Sequence, residues 1–255
     1  MCAAIEFRRV SFAVSRERLL LHDISLKMDE GTTTAILGRS GSGKTTLLRT
    51  VNRMAEPTGG EILLGGKRLR DFDVIQLRRS MGYVIQEAGL FPHFTVERNV
   101  GLVLEAEGRS LEERGQRSRA LLADVGLDPS VFAGRFPRQL SGGQRQRVGV
   151  ARALAADPNI LLMDEPFGAL DPLTRSEMQE MLRGLMRRWK KTVLLVTHDL
   201  DEALYLADRI VLLSEGRLIA NLQPGEFLRS RQPEVETYVQ AFHRGQRNAA
   251  GEVSA

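Results

Sequence analysis

The run Gly38-Arg39-Ser40-Gly41-Ser42-Gly43-Lys44-Thr45 follows an apolar stretch, Thr34 to Leu37, and precedes a helix-like segment from Thr46 to Met54. Strand, glycine loop, helix is the order these residues specify. The spacing G-x-x-x-x-G-K-[ST] suits an anion cradle. Its glycines let successive backbone N–H groups converge on phosphate oxygens, and the helix that follows turns its positive end toward them. Lys44 is placed to reach the β- and γ-phosphates of a nucleotide. The Thr45 hydroxyl is placed for Mg²⁺, and Thr46 is a lesser candidate for an α-phosphate contact.

A chain of 255 residues, 42% of them hydrophobic, can bury a large core as one domain carrying a subdomain. Its formal net charge of +4, from 36 basic and 32 acidic residues, allows an anionic ligand without calling for nucleic acid, and no nucleic-acid partner is expected. The single cysteine, Cys2, excludes an internal disulfide framework and fits a reducing compartment such as the cytoplasm. Glu6, Arg8 and Arg9 interrupt the N-terminal stretch where a secretory signal needs an apolar core, and runs such as Ile160 to Met163 fall far short of the ~20 residues of a spanning helix. If a membrane is involved, another polypeptide is expected to cross it.

In chain order, Ile5 to Val10 and Leu19 to Met28 read as antiparallel strands, and Glu61 to Leu64 with Lys67 to Leu69 as a hairpin across Gly65-Gly66. A short helix at Val74 to Arg79 leads to a strand at Met81 to Ile85. Between residues 88 and 157 the texture turns helical, with segments at Thr95 to Glu107, Ser110 to Val125 and Gln144 to Ala156. A βαβ rhythm then returns: strands Ile160 to Asp164, Thr192 to Thr197 and Ile210 to Ser214, helices Leu173 to Trp189 and Leu200 to Ala207. Arg217 to Asn221 completes a hairpin, Glu234 to Phe242 is a closing helix, and residues 244–255 read as a flexible tail.

The strand ending in Asp164-Glu165 puts two carboxylates where a parallel α/β sheet holds its ligand chemistry. Asp164 suits Mg²⁺, and Glu165 suits orienting and deprotonating the water that attacks a γ-phosphate, although both could simply be an acidic strand end before Pro166. Leu140-Ser141-Gly142-Gly143-Gln144 opens a second helix with a serine and a glycine pair, another anion-binding N-terminus. Gln86, ending its strand, is within range of Mg²⁺ and the attacking water. Asp171 precedes Pro172 as a helix N-cap.

Taken in order, Gly38 to Thr45, Gln86, Leu140 to Gln144, Asp164-Glu165, Asp171 and His198 resemble the nucleotide-binding subunit of ATP-binding cassette transporters over nearly the whole chain. The resemblance implies an α/β fold: a P-loop NTPase core with a mostly parallel sheet, an antiparallel β subdomain and an inserted α-helical subdomain. The ATPase domain would span 1–243, with core at 1–87 and 158–243 and the insertion at 88–157. It also implies ATP and Mg²⁺ as ligands, and a head-to-tail dimer in which Ser141, Gly142, Gly143 and Gln144 of one copy close over ATP held by the glycine loop of the other. Asp171 would cross that interface and couple the two sites. His198 would contact the γ-phosphate and help place the water, and Gln86 would sense the γ-phosphate. Leu90, Phe91, Pro92 and Phe94 would either meet a membrane-spanning permease subunit or belong to the helical core. The place where this family stacks an aromatic ring on adenine holds Val14, with Phe12 directed into the sheet.

Val51-Asn52-Arg53-Met54, Glu56-Pro57-Thr58, Gly82 to Gln86 and Gly89 to His93 are further similar to importer subunits for glycine betaine, choline and related osmoprotectants. That likeness implies a catalytic subunit at the inner face of the cell membrane, with a solute-binding protein as an indirect partner. An amino-acid importer ATPase and a soluble cassette protein outside transport are the competing readings.

Overall fold

The computed structural model describes residues 3–15 and 18–252. Strands β1 (Ala3–Ala13) and β2 (Leu19–Asp29) pair antiparallel, and β2 alternates buried with exposed side chains, as a sheet covered on one face requires. Next, β3 (Thr33–Leu37), buried at every residue, runs into the glycine loop and α1 (Lys44–Val51). The hairpin of β4 (Gly59–Leu64) and β5 (Lys67–Arg68) joins the first two strands in a four-stranded antiparallel sheet of order β2-β1-β4-β5. After α2 (Val74–Arg79), capped by Asp73, comes β6 (Met81–Val84).

The helical stretch then follows as α3 (Val96–Val100), α4 (Leu102–Ala106), α5 (Leu111–Asp124), α6 (Pro129–Phe132) and α7 (Gly142–Ala153). The single helix expected over Thr95 to Glu107 is two, broken at Gly101. A Cβ there would lie 3.0 Å from Ser118 Oγ, so the glycine that interrupts the helix also lets α5 close in. Helix α7 starts earlier than expected, at Gly142 with Ser141 as its cap, and stops before the turn at Asp157, whose φ is 52°.

The chain returns through β7 (Ile160–Asp164), α8 (Pro172–Trp189), β8 (Thr192–Val196), α9 (Leu200–Leu206), β9 (Arg209–Ser214) and β10 (Arg217–Leu222). The six-stranded sheet has the order β10-β9-β3-β8-β7-β6, parallel except for the β9–β10 hairpin. Strands β3, β7 and β8 are buried along their whole length and mostly apolar because both of their faces are covered. One face carries Ile36, Leu162, Leu194 and Val211 against α1 and the antiparallel sheet. The opposite face packs Met163 and Leu195 on the helical stretch and α8, and Ala35, Leu37 and Leu212 on α9 and the C-terminal helices.

Those last helices are α10 (Pro224–Arg229), which the sequence reading missed, and α11 (Pro233–Glu252). Helix α11 passes the expected end at Phe242 and takes in most of the segment expected to be a flexible tail. No proline follows Phe242, and extending a formed helix is far easier than starting one, so Gly245 does not end it. Residues 253–255 of that tail lie outside the described residues.

Candidate functional site

The glycine loop is fixed by close approach. A Cβ on Gly38 would stand 2.2 Å from the Leu213 carbonyl oxygen of β9, and one on Gly43, at φ 99°, would meet Leu21 Cδ2 at 2.8 Å. Only glycine lets the loop fold over the ends of β3 and β9 at these points. Gly43 occupies the N-cap position of α1, no side-chain cap bond is made there, and the first turn holds no acidic residue. Its leading N–H groups are therefore aimed outward, as an anion needs.

Lys44, only 5% exposed, folds back so that its Nζ donates to the Gly38 carbonyl at 2.9 Å and the Arg39 carbonyl at 3.1 Å. Burial lowers its pKa, opposed by the nearby charges of Glu165 and Asp164. The Thr45 hydroxyl donates to Asp164 Oδ1 at 2.8 Å, tying α1 to the end of β7. Two partners that the sequence did not suggest also reach Asp164: the Tyr83 hydroxyl at 3.4 Å from Oδ2 and the Arg49 guanidinium at 4.0 Å. Tyr83 comes from β6, the strand beside β7, so its part could be read only once strand order was known. Burial raises the Tyr83 pKa, so it stays a neutral donor.

Glu165 has φ 46°, an uncommon conformation for a residue with a side chain. Its N–H donates to the Val196 carbonyl at 2.9 Å, and its Oε2 lies 3.2 Å from His198 Nδ1. The two side chains thus meet at the ends of neighbouring strands. Both look outward, with His198 61% and Glu165 23% exposed.

Gln86 lies just beyond β6 in a cleft of about 300 Å³ that it shares with Gly142, Gln146, Pro166 and Leu170. The buried Gln146 donates to the Ile85 carbonyl at 3.2 Å, and Arg152 donates to the carbonyls of Ala88 and Gly89 at 2.6 and 2.8 Å, so α7 grips the segment that carries Gln86. Beyond it, the wholly buried Asn99 side chain bonds Phe91 N–H at 2.7 Å and the carbonyls of Phe91, Phe94 and Thr95. Of the apolar cluster here, Leu90 packs on the helical core while Phe91 is 48% exposed.

At α7, Ser141 Oγ accepts from Gln144 N–H at 3.2 Å and Gln144 Oε1 accepts from Ser141 N–H at 3.0 Å, a reciprocal cap. Ser141 and Gly142 are exposed, whereas Gly143 is buried where a Cβ would strike Thr174. Among the described residues the hydrogen bonds of the glycine loop run from Lys44 to the Gly38 and Arg39 carbonyls and from Thr45 to Asp164, whereas Ser141 and Gln144 bond one another. Asp171 caps α8, accepting from Thr174 N–H at 3.1 Å, and those bonds lower its pKa. Val14 is 60% exposed, while Phe12 packs against the core.

Behind His198 sits a residue the sequence reading passed over. Glu202 of α9 is 4% exposed, and burial pushes its pKa up to about 7 from 4.5, Asp199 adding to the rise and Thr197, Arg175 and His198 opposing it. A carboxyl whose folded pKa is raised adds its full stability below the unfolded value and loses it as pH climbs through the folded one. Glu202→Gln is therefore expected to melt with the wild type near pH 5 and above it at pH 8, by on the order of 3 kcal/mol. Equal melting temperatures at both pH values in a calorimeter would refute this.

The arrangement is an anion cradle with a buried cation, a carboxylate–hydroxyl pair beside it, and a carboxylate–imidazole pair at the next strand end. A family profile described as ABC transporter matches residues 21–168. The choline transport ATP-binding protein OpuBA of Bacillus subtilis is 45% identical over 220 residues, which make up 86% of this chain and 58% of OpuBA. The glycine betaine uptake system ATP-binding protein YehX of Escherichia coli is 46% identical over 86% of this chain and 71% of its own length. The chain spans less than two thirds of the first of these relatives. Among solved structures, the ATP-binding cassette MJ0796, a dimer bound to ADP and phosphate, superposes with a TM-score of 0.78 at 34% identity, covering 86% of this chain and 98% of that one. Its strand order, glycine loop and profile match agree: the chain belongs to the ABC transporter family.

Proposed function

We propose that this chain hydrolyses ATP to drive a membrane importer for a small polar solute of the quaternary-amine osmoprotectant type. The observation that carries the reading is the meeting of Lys44, Thr45, Asp164 and Glu165 around the open N-terminus of α1. Relatives named for choline, glycine betaine and carnitine transport support the choice of solute.

In this scheme the loop from Gly38 to Thr46 wraps the phosphates and Lys44 moves from its two carbonyls onto them. Glu165 takes the proton of the attacking water, and His198, bonded to Glu165, holds it in line and reaches the γ-phosphate. The pair of Thr45 hydroxyl and Asp164 carboxylate, with Gln86 nearby, is a hard-oxygen donor set of the kind Mg²⁺ takes when substrate phosphates complete its shell. Bound there, the ion would neutralise charge on the β- and γ-phosphates. Adenine would rest on apolar surface near Val14.

A second copy completes the site. Exposed Ser141 and Gly142 at the N-terminus of α7 would supply donors, and closing them over the nucleotide would exclude water and strengthen every charge contact. Asp171, beside that face, would meet the partner. Residues 88–157 act as an inserted helical unit in an ATPase domain of residues 1–243. Among the described residues no helix is long and apolar enough to cross a membrane. In keeping with relatives that are subunits of transport systems, permease subunits would cross it, with this chain at their cytoplasmic face and a solute-binding protein outside. Exposed Phe91 is suited to the permease contact.

The shared site gives a mixing test. Ser141→Arg and Lys44→Ala are each expected to be inactive alone, with hydrolysis per chain in the wild type rising steeply with protein concentration. Mixed, they form dimers in which one of the two sites is intact, so ATPase activity returns to about a quarter of wild type by statistical assortment of a head-to-tail dimer. A mixture no more active than its parts would remove the shared site.

A further inference from the structure

In the first turn of α8, Arg175 reaches three segments at once. Its Nη2 donates to the Leu170 carbonyl at 3.4 Å and its Nη1 to Asp199 Oδ2 at 3.5 Å, while Nε lies 3.9 Å from Glu202 Oε1. That Nε is buried without a hydrogen-bond partner. Guanidinium–carboxylate bonds normally close to about 2.7–2.9 Å, so this side chain is shared among acceptors rather than seated on one.

On the other side, Glu202 accepts the Thr197 hydroxyl, and Thr197 Oγ1 accepts Asp199 N–H at 3.1 Å. Asp199 caps α9 through the N–H groups of Asp201 and Glu202. His198 therefore sits between two residues that both belong to this network, and its carbonyl accepts from the Tyr238 hydroxyl of α11 at 3.2 Å. Its ring is exposed, yet its backbone is held from α8, α9 and α11.

We propose that Arg175 and Glu202 are positioning residues that transmit movement of the Leu170–Asp171 loop to the His198 turn, and so set the alignment of His198 on Glu165. The proposal rests on the ATPase reading above. When the loop is drawn toward a second copy, the Leu170 carbonyl leaves Arg175 and the guanidinium settles on Glu202 and Asp199, satisfying its buried Nε. Glu202 then holds Thr197 and Asp199 more firmly and His198 is fixed in line. When the loop relaxes, Arg175 is pulled back and the turn loosens. The three acceptors face three different nitrogens of the guanidinium, a spread that a lysine ammonium, with all its donors on one atom, does not provide.

Ionised Glu202 is the form that pairs with Arg175. The groups facing it are Thr197, His198 and Asp199 from the turn and Arg175 from α8; Tyr238 approaches the same turn from α11, and β3 presents only Thr33 to Leu37. Since burial pushes Glu202 up to about 7, turnover should rise through neutral pH with an inflection that Glu202→Gln removes.

The test compares full-length wild type, Arg175→Lys and Glu202→Gln by MgATP kinetics, melting temperature and the ring resonances of His198, one of four histidines, assigned with His198→Gln. Both variants should lose on the order of tenfold in kcat with KM within about twofold, as expected for a misplaced rather than missing group. They should move the His198 resonances, and Glu202→Gln should lose the neutral inflection while melting no lower than wild type. Unchanged kcat and resonances, or a kcat that falls only in step with melting temperature, would overturn the relay. The ATPase reading fails separately, by a wild type that Lys44→Met does not impair; the relay is then decided on the His198 resonances alone.

Discussion

Glu165→Gln lowers MgATP hydrolysis by roughly a hundredfold or more, within the range set by losing a positioned general base, while ATP still binds. The substitution keeps the size of the side chain, the left-handed backbone at φ 46° and the N–H bond to Val196. It removes only the negative charge that accepts a proton. His198 Nδ1, 3.2 Å away, can still bond to the amide oxygen, so the neighbouring strand ends stay in register. None of the loop contacts of Lys44 depends on Glu165, whose charge stabilises the lysine only from a distance. Substrate therefore accumulates unhydrolysed between two copies, and size-exclusion chromatography with MgATP should show a stable dimer that wild type does not retain. Single-turnover phosphate release reads the chemical step directly. A variant that releases phosphate at the wild-type rate would assign the base to another group.

The parts of this site that lie close along the chain were legible in the sequence. Strand, glycine loop and helix from Thr34 to Met54 form a continuous signal, and the apolar run ending at Asp164 announces a buried parallel strand because both its faces must be covered. The α/β class with a parallel sheet followed from the same rhythm. The supporting shell was not legible. Tyr83 reaches Asp164 only because β6 lies beside β7, and Arg175 meets Glu202 only because α8 and α9 pack side by side. Such neighbours are set by long-range topology, which no local spacing encodes. Boundaries went astray where one residue served two elements: Gly101 ends α3 and admits α5, and Ser141 caps α7 through a bond that places the helix start ahead of Gln144. The extension of α11 past Phe242 shows the reverse, a segment read as tail for its polarity although no proline in it stops a helix that is already formed.

Lys44→Met abolishes productive nucleotide binding, lowering kcat/KM for MgATP by on the order of a thousandfold, as expected when a preorganised cation is taken from a site that excludes water. Methionine fills most of the space of the lysine stem, so the change isolates the charge. Two effects on the nucleotide-free fold oppose one another. Burial disfavours the ammonium, as its lowered pKa reports, whereas its bonds to the Gly38 and Arg39 carbonyls favour it. The variant should thus melt within a few degrees of wild type when no nucleotide is present, by their near-cancellation. Nucleotide separates the two proteins. At a concentration a hundredfold above Kd, a ligand that binds only the folded state adds about 2.7 kcal/mol, a rise of several degrees for a chain of this size. Wild type should show that rise with MgATP and Lys44→Met should not. A variant that is still stabilised by MgATP to the wild-type extent would place the phosphates away from the glycine loop, and with them Thr45, Asp164 and Glu165 would lose their substrate.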